Sequence, residues 1–301
     1  MIPRFPEFKS LEVSDGSDIQ EFTKRFPAYS DFDFVTLWSW DVDENRGVSE
    51  LNGNLIVRFS DYLTGEIFYS FVGMNKMEDT IKTLFDFATM NKQSTDLRFI
   101  PQEMMPMNYL FNDIANALED PDNHDYIYSI DRLMQYEGSE YAQARNLLSR
   151  FTRRNGSISV VDLDLTQETN RNLILGVTED WQQNKGKFIT REEMALQRLL
   201  ENAYHFELLS FAVYVEGKMV AFAINQTLHG GYAISHFVQA NVQYAGLYSF
   251  VMQTIAKKVS QRGSKFLNYE QDLGLPGLRQ AKKSYSPDHF LKKYAIVAKS
   301  E

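Results

Sequence analysis

Residues 211–269 read FAVYVEGKMVAFAINQTLHGGYAISHFVQANVQYAGLYSFVMQTIAKKVSQRGSKFLNY. Phe211–Val215 is an apolar, β-branched run that enters the turn Glu216-Gly217-Lys218. Met219–Thr227 reads as the next strand, Gly230-Gly231 as a turn, and Tyr232–Val238 as a third strand. From about Gly246 to Gln261, Leu247, Phe250, Val251 and Ile255 recur at helical spacing. Lys265–Tyr269 reads as a closing strand. Antiparallel hairpins feeding a crossover helix predict a mixed α/β sheet.

The same order occurs once before. Leu51 leads into Asn52-Gly53-Asn54, and Leu55–Phe59 reads as a strand. Thr64-Gly65 turns the chain into the strand Ile67–Val72. A helix over Met77–Met90 places Ile81, Leu84, Phe85 and Ala88 on one face, and Leu97–Ile100 closes the set. The offset between the copies is roughly 165 residues, the signature of a duplicated unit. Two domains are therefore expected, 1–138 and 157–301, with a connecting helix at 139–156 centred on Ser139–Arg153. Helices are also predicted over Asp18–Phe26, Gln167–Asn184 and Arg191–Tyr204. The last carries a capping box at Thr190 and Glu193.

Composition narrows the classes. The chain has 301 residues and no cysteine, which excludes disulfides, thiol catalysis and cysteine-ligated metals. It has no apolar run of transmembrane length and no leader-like start, so a cytoplasmic location is expected. The five histidines show no metal-ligand spacing. His236, on a predicted central strand, reads as a hydrogen-bonded core residue, and Phe32, Phe34, Trp38 and Trp40 read as core. The net charge of −9 hides an asymmetry. Residues 1–150 hold 26 acidic and 13 basic side chains, residues 151–301 hold 14 and 18, so an anionic partner would meet the second half.

The stretch Asn268–Tyr294, NYEQDLGLPGLRQAKKSYSPDHFLKKY, carries the densest chemistry. Asn268, Glu270 and Asp272 stand at alternate positions, which in an extended chain puts them on one face. The turn Gly274-Leu275-Pro276-Gly277 leads to a short basic helix with Arg279, Lys282 and Lys283, and Lys292, Lys293 and Lys299 extend the basic character. An acidic strand end facing a basic helix suits a substrate bearing both an amine and a phosphate. A salt-bridged turn that holds the last strand is the other reading of the same residues.

This stretch resembles the C-terminal domain of bacterial phosphatidylglycerol lysyltransferases, through Asn268, Glu270, Asp272, Leu273, Gly274, Leu278, Arg279, Lys282, Tyr285, Pro287 and Lys293-Tyr294. Tyr29-Ser30-Asp31, Trp38-Ser39-Trp40, Asp125-Tyr126-Ile127-Tyr128 and Tyr141–Asn146 add to the resemblance. It implies an α/β protein of two tandem GNAT-like (acyl-CoA N-acyltransferase-like) domains, with mixed sheets flanked by helices. It also implies aminoacyl transfer from aminoacyl-tRNA to an amine or hydroxyl acceptor, a lipid head group at the membrane surface included. Members with that activity carry membrane spans ahead of the domain, whereas this sequence shows none.

Within that resemblance, Glu270 and Asp272 are candidates for binding an amino group or acting as general base, because aminolysis of an ester needs a proton acceptor on the nucleophile. Tyr285 is the candidate donor to the leaving oxygen, and Asn268 would orient substrate. Arg279, Lys282 and Lys283 would meet phosphates. GNAT enzymes bind the pyrophosphate of coenzyme A on a loop ahead of a helix, and Gln243 and Gly246 match that loop in Gln239–Tyr248. Tyr248 stands where a small residue is needed, which disfavours coenzyme A. The competing readings are an acyl-CoA-dependent N-acyltransferase and a non-catalytic binding or regulatory protein of the same fold.

Overall fold

A computed structural model describes residues 1–105, 114–183 and 190–299. In the first part of the chain, β1 (Lys9–Ser10), α1 (Gly16–Thr23) and α2 (Phe34–Ser39) precede β2 (Gly47–Leu51), β3 (Asn54–Ser60), β4 (Ile67–Val72), α3 (Met77–Met90), β5 (Leu97–Pro101) and β6 (Ala115–Glu119). Then come β7 (Asp125–Ser129), α4 (Ile130–Gln135), α5 (Ala142–Arg154), β8 (Ile158–Leu163), α6 (Glu168–Gln183) and α7 (Arg191–Glu201). The remainder is β9 (Leu209–Val215), β10 (Lys218–Thr227), β11 (Tyr232–Ala240), α8 (Leu247–Ser260), β12 (Phe266–Asn268), α9 (Pro276–Lys283), β13 (His289–Leu291) and β14 (Lys293–Ala298). The far end of the helix expected to reach Asn184 lies outside the described residues.

Among the described residues the strands form two mixed seven-stranded sheets, flanked by helices. Their orders are β1-β2-β3-β4-β5-β14-β6 and β8-β9-β10-β11-β12-β7-β13. Slot for slot the two sheets follow the same strand order, and each has a parallel contact in the same place, β4 with β5 and β11 with β12. Both copies open with a two-residue hairpin. Asn52-Gly53 lies at φ +57° and +78°, and Glu216-Gly217 at +51° and +80°. Positive φ at both turn residues matches the strand twist, and glycine supplies the second at no steric cost. The helical stripes also fall where spacing places them. Ile81, Leu84 and Ala88 of α3 are buried, as are Leu247, Val251 and Ile255 of α8. The Thr190–Glu193 capping box is present at the start of α7.

The expected domain boundaries need correction. The chain divides into compact units of Met1–His124 with Leu291–Glu301, and Asp125–Phe290. The sixth strand of each sheet explains the shift. β14 from the end of the sequence inserts between β5 and β6, and β7 from the first half inserts between β12 and β13. The helix at 139–156 is not a connector, because α5 belongs to the second unit and packs on α8.

In the first unit, Lys293 of β14 and Asp31 are both fully buried and form an ion pair. The Tyr62 hydroxyl donates to Asp31 at 2.9 Å. Lys293 therefore leaves the expected basic surface. Phe32, Phe34 and Trp38 are buried, and Trp40 packs edge-on against Tyr62 at 4.9 Å.

Candidate functional site

The second unit gathers the Asn268–Tyr285 residues at the carboxyl ends of its two parallel strands, where open α/β sheets bind ligands. β11 pairs with β12 only through Tyr232, Ala233 and Ile234, and then runs on to Ala240 while β12 stops at Asn268.

The chain then leaves the extended conformation. Asn268 is buried and donates to Asp125 at 3.0 Å, while its side-chain oxygen accepts the Glu270 N–H at 2.8 Å. That bond turns Glu270 into the left-handed region at φ +56°, which is uncommon for a residue with a side chain. The alternate-position reading thus fails: Asn268, Glu270 and Asp272 do not share one strand face. The kink is fastened on both sides. The Glu270 carbonyl accepts from the Tyr126 N–H at 3.1 Å, and the Tyr269 N–H donates to the Tyr126 carbonyl at 2.9 Å.

Asp272 is fully buried and saturated. It accepts from the Tyr126 hydroxyl at 2.6 Å, from Arg279 Nε and Nη2 at 2.8 Å each, and from the Gly274 N–H at 2.9 Å. Burial alone would raise the carboxyl pKa, but Arg279, Tyr126 and Gly274 hold it below the usual range. A carboxylate with every lone pair engaged is a structural anchor, so its general-base assignment is withdrawn. Arg279 serves that anchor. Lys282 is also buried: its ammonium donates to the carbonyls of Tyr269 and Gln271 and lies over the rings of Tyr126 and Tyr269. It is not placed to meet a phosphate. Lys283 is exposed on α9.

Tyr285 sits in a buried aromatic group, stacked on Tyr136 at 6.5 Å, with its hydroxyl 3.5 Å from Ser249 of α8. Burial raises its phenol, which stays protonated near neutral pH. Tyr269 is raised strongly, first by burial and then by Tyr248, Tyr285, Glu270 and Glu192. Asp125, Tyr126 and Tyr269 carry no local spacing signal of a site. Only the resemblance of the Asp125–Tyr128 patch gave a signal. His236 is buried, 3.1 Å from the Gln226 oxygen, and burial pushes its pKa down to about 3. It is a neutral core residue.

The start of α8 offers less to an anion than its sequence implies. The Gln243 N–H donates to Asn241 Oδ1 at 3.0 Å, Tyr244 to the Asn241 carbonyl at 3.1 Å, and Leu247 to the Tyr244 carbonyl at 3.0 Å. Gly246 has φ +91°, and a Cβ there would lie 2.0 Å from the Leu147 carbonyl of α5. Its glycine is demanded by packing. Gly246→Ala should therefore lower the melting temperature by about 5–10 °C, since strain and overpacking each cost about 1–3 kcal/mol. A thermal scan showing no shift would contradict this geometry. An open cavity of about 590 Å³ in the first unit, lined by Glu66, Lys92, Asp96 and Arg98 among others, contains none of the expected site residues. Among the described residues no group of three His, Asp or Glu side chains is arranged to hold a metal, and no helix is long and apolar enough to cross a membrane.

Two duplicated mixed sheets of this order define a GNAT-like, acyltransferase-type fold. Residues 72–297 match the family described as phosphatidylglycerol lysyltransferase, C-terminal, and the chain belongs to it. Among solved structures it is similar to a conserved protein of unknown function from Bacteroides thetaiotaomicron VPI-5482, with TM-score 0.83, 23% identity, and coverage of 99% of this chain and 100% of that one. It is also similar to L-PGS from Bacillus licheniformis, with TM-score 0.62, 15% identity, and coverage of 100% and 95%. FemX gives TM-score 0.56, 10% identity, and coverage of 96% of both chains. No curated protein sequence matches the chain.

Proposed function

We propose that this chain is an aminoacyltransferase that takes an aminoacyl group from aminoacyl-tRNA and passes it to an amine or hydroxyl acceptor. The observation that carries this reading is Glu270. Its backbone is fixed at both N–H and carbonyl, its side chain is half-buried, and it stands at the carboxyl end of β12 beside Tyr269. Glu270 accepts the proton of the attacking amine or hydroxyl as the nucleophile adds to the ester carbonyl. As the tetrahedral intermediate collapses and the acyl–oxygen bond breaks, Glu270 returns that proton to the departing ribose oxygen, while the protonated phenols of Tyr269 and Tyr285 supply hydrogen bonds to the oxyanion and to that oxygen. Asn268, Asp272, Arg279 and Lys282 act behind Glu270, as the scaffold of the kink. Exposed Val242, Leu275 and Tyr248, at 69%, 43% and 40% accessibility, lie on segments bordering the site and suit an amphiphilic acceptor such as a lipid head group.

The RNA reading moves from α9 to α5. That helix carries Arg145, Arg150, Arg153 and Arg154 and no acidic residue, and all four are exposed. Helical spacing puts Arg150 and Arg154 on the flank beside Leu147, whose carbonyl touches Gly246 at the start of α8. A phosphate backbone following α5 would thus arrive at the site. Binding of charged tRNA should weaken steeply with salt, and replacing Arg150 and Arg154 with Ala should flatten that slope by up to about one unit for each phosphate the two arginines neutralise. An unchanged slope would remove α5 from the RNA path.

Coenzyme A stays disfavoured. Tyr248 is the second residue of α8, where the close backbone approach of a pyrophosphate needs a small residue. Calorimetry should give acetyl-CoA no affinity near low-micromolar, about −8 kcal/mol. A value that tight would favour the acyl-CoA reading.

A further inference from the structure

The ammonium of Lys282 bridges two main-chain carbonyls that flank a single residue. It donates to Tyr269 on one side of Glu270 and, at 2.7 Å, to Gln271 on the other. The faces of Tyr269 and Tyr126 enclose it at 5.1 and 5.8 Å. Its own carbonyl accepts from the Tyr128 hydroxyl at 2.8 Å, which ties that turn of α9 to β7. Arg279 stands one helical turn earlier on the same face and grips Asp272 with two bonds. The two cations thus hold successive parts of the 269–272 segment from one helix.

We propose that Lys282 is a positioning residue for Glu270: it locks the left-handed kink that aims the Glu270 carboxylate, and it does not contact substrate. The inference rests on the reading of Glu270 as the reacting carboxylate. Its physical basis is separate. A left-handed glutamate relaxes toward extended backbone unless its surroundings over-determine it. The Asn268 and Tyr126 bonds hold Glu270's own N–H and carbonyl, and Lys282 holds the peptide units on either side. Without the ammonium, two buried carbonyls lose a donor and would turn toward water. The carboxylate would keep its chemistry and lose its aim.

Hydrogen exchange on the full chain, followed by mass spectrometry, tests this without any substrate. Lys282→Met should speed exchange across 268–274 by about tenfold or more while β9, β10 and β11 keep wild-type protection. Lys282→Arg, which can still donate to both carbonyls, should restore most of the protection. Wild-type exchange at 268–274 in Lys282→Met, or an equal rise throughout the second unit, would overturn the proposal. If Lys282→Met does not fold, Lys282→Gln is read the same way, and failure of both to fold would make Lys282 a core residue only. In turnover with charged tRNA, Lys282→Met should lower kcat by about tenfold or more, with KM within about threefold. A raised KM with kcat unchanged would return Lys282 to substrate binding. A wild-type chain with no turnover would sink the transferase reading and leave the exchange result to judge Lys282.

Discussion

Lys293→Met should lower the melting temperature of the first unit by roughly 10–20 °C, the largest stability effect expected anywhere in the chain. Lys293 and Asp31 are both inaccessible to water, and the pair joins the last strand to the segment ahead of α2. Methionine matches the lysine stem but leaves the Asp31 carboxylate buried with the Tyr62 hydroxyl and without its cation. Breaking one side of a buried pair typically costs about 3–5 kcal/mol. The double change Lys293→Met with Asp31→Leu should recover much of the stability, because the uncompensated charge is then gone. A thermal scan in which the single variant melts within about 2 °C of wild type would show that the pair does not hold β14 in its sheet.

Glu270→Gln should abolish transfer and leave folding intact. Removing a positioned general base costs about 10²–10⁴-fold in rate. Glutamine keeps the shape, and the bonds that fix position 270 are made by its N–H and carbonyl, so the melting temperature should move by no more than about 2 °C. Asp272→Asn is the contrasting variant. It weakens a two-pronged contact to Arg279 and disturbs the bonds from Tyr126 and Gly274, so it should cost about 3 kcal/mol and melt roughly 6–12 °C lower. If Glu270→Gln melts like Asp272→Asn while retaining turnover, the segment is a structural turn and the assignment of Glu270 is wrong.

Local pattern carried the elements and their repetition. The stripes of α3 and α8 are periodic, and the hairpins at Asn52-Gly53 and Glu216-Gly217 have the residue types that positive φ at a turn favours. The exchange of β7 and β14 left no such mark. A strand's slot in a sheet is set by pairing with residues far away, and Lys293–Ala298 pairs with 97–101 and 115–119. The site was legible as a place and misread as a geometry. Asn268 and Asp272 stand at the spacing of an exposed strand face, yet their side chains cap the Glu270 and Gly274 N–H groups and turn the chain. Lysines are almost always at the surface, so nothing local distinguished the buried Lys282 and Lys293 from the exposed Lys283.

The most direct test of the central claim follows a label. The purified full chain is incubated with tRNA charged with radiolabelled lysine, together with phosphatidylglycerol vesicles or a soluble amine. The wild type should move label from tRNA to one of these acceptors faster than spontaneous hydrolysis, and Glu270→Gln should not. Label that leaves the tRNA at the same rate with and without the wild-type chain, across a panel of charged amino acids and both acceptor classes, would contradict an aminoacyltransferase and favour a binding protein built on the same fold.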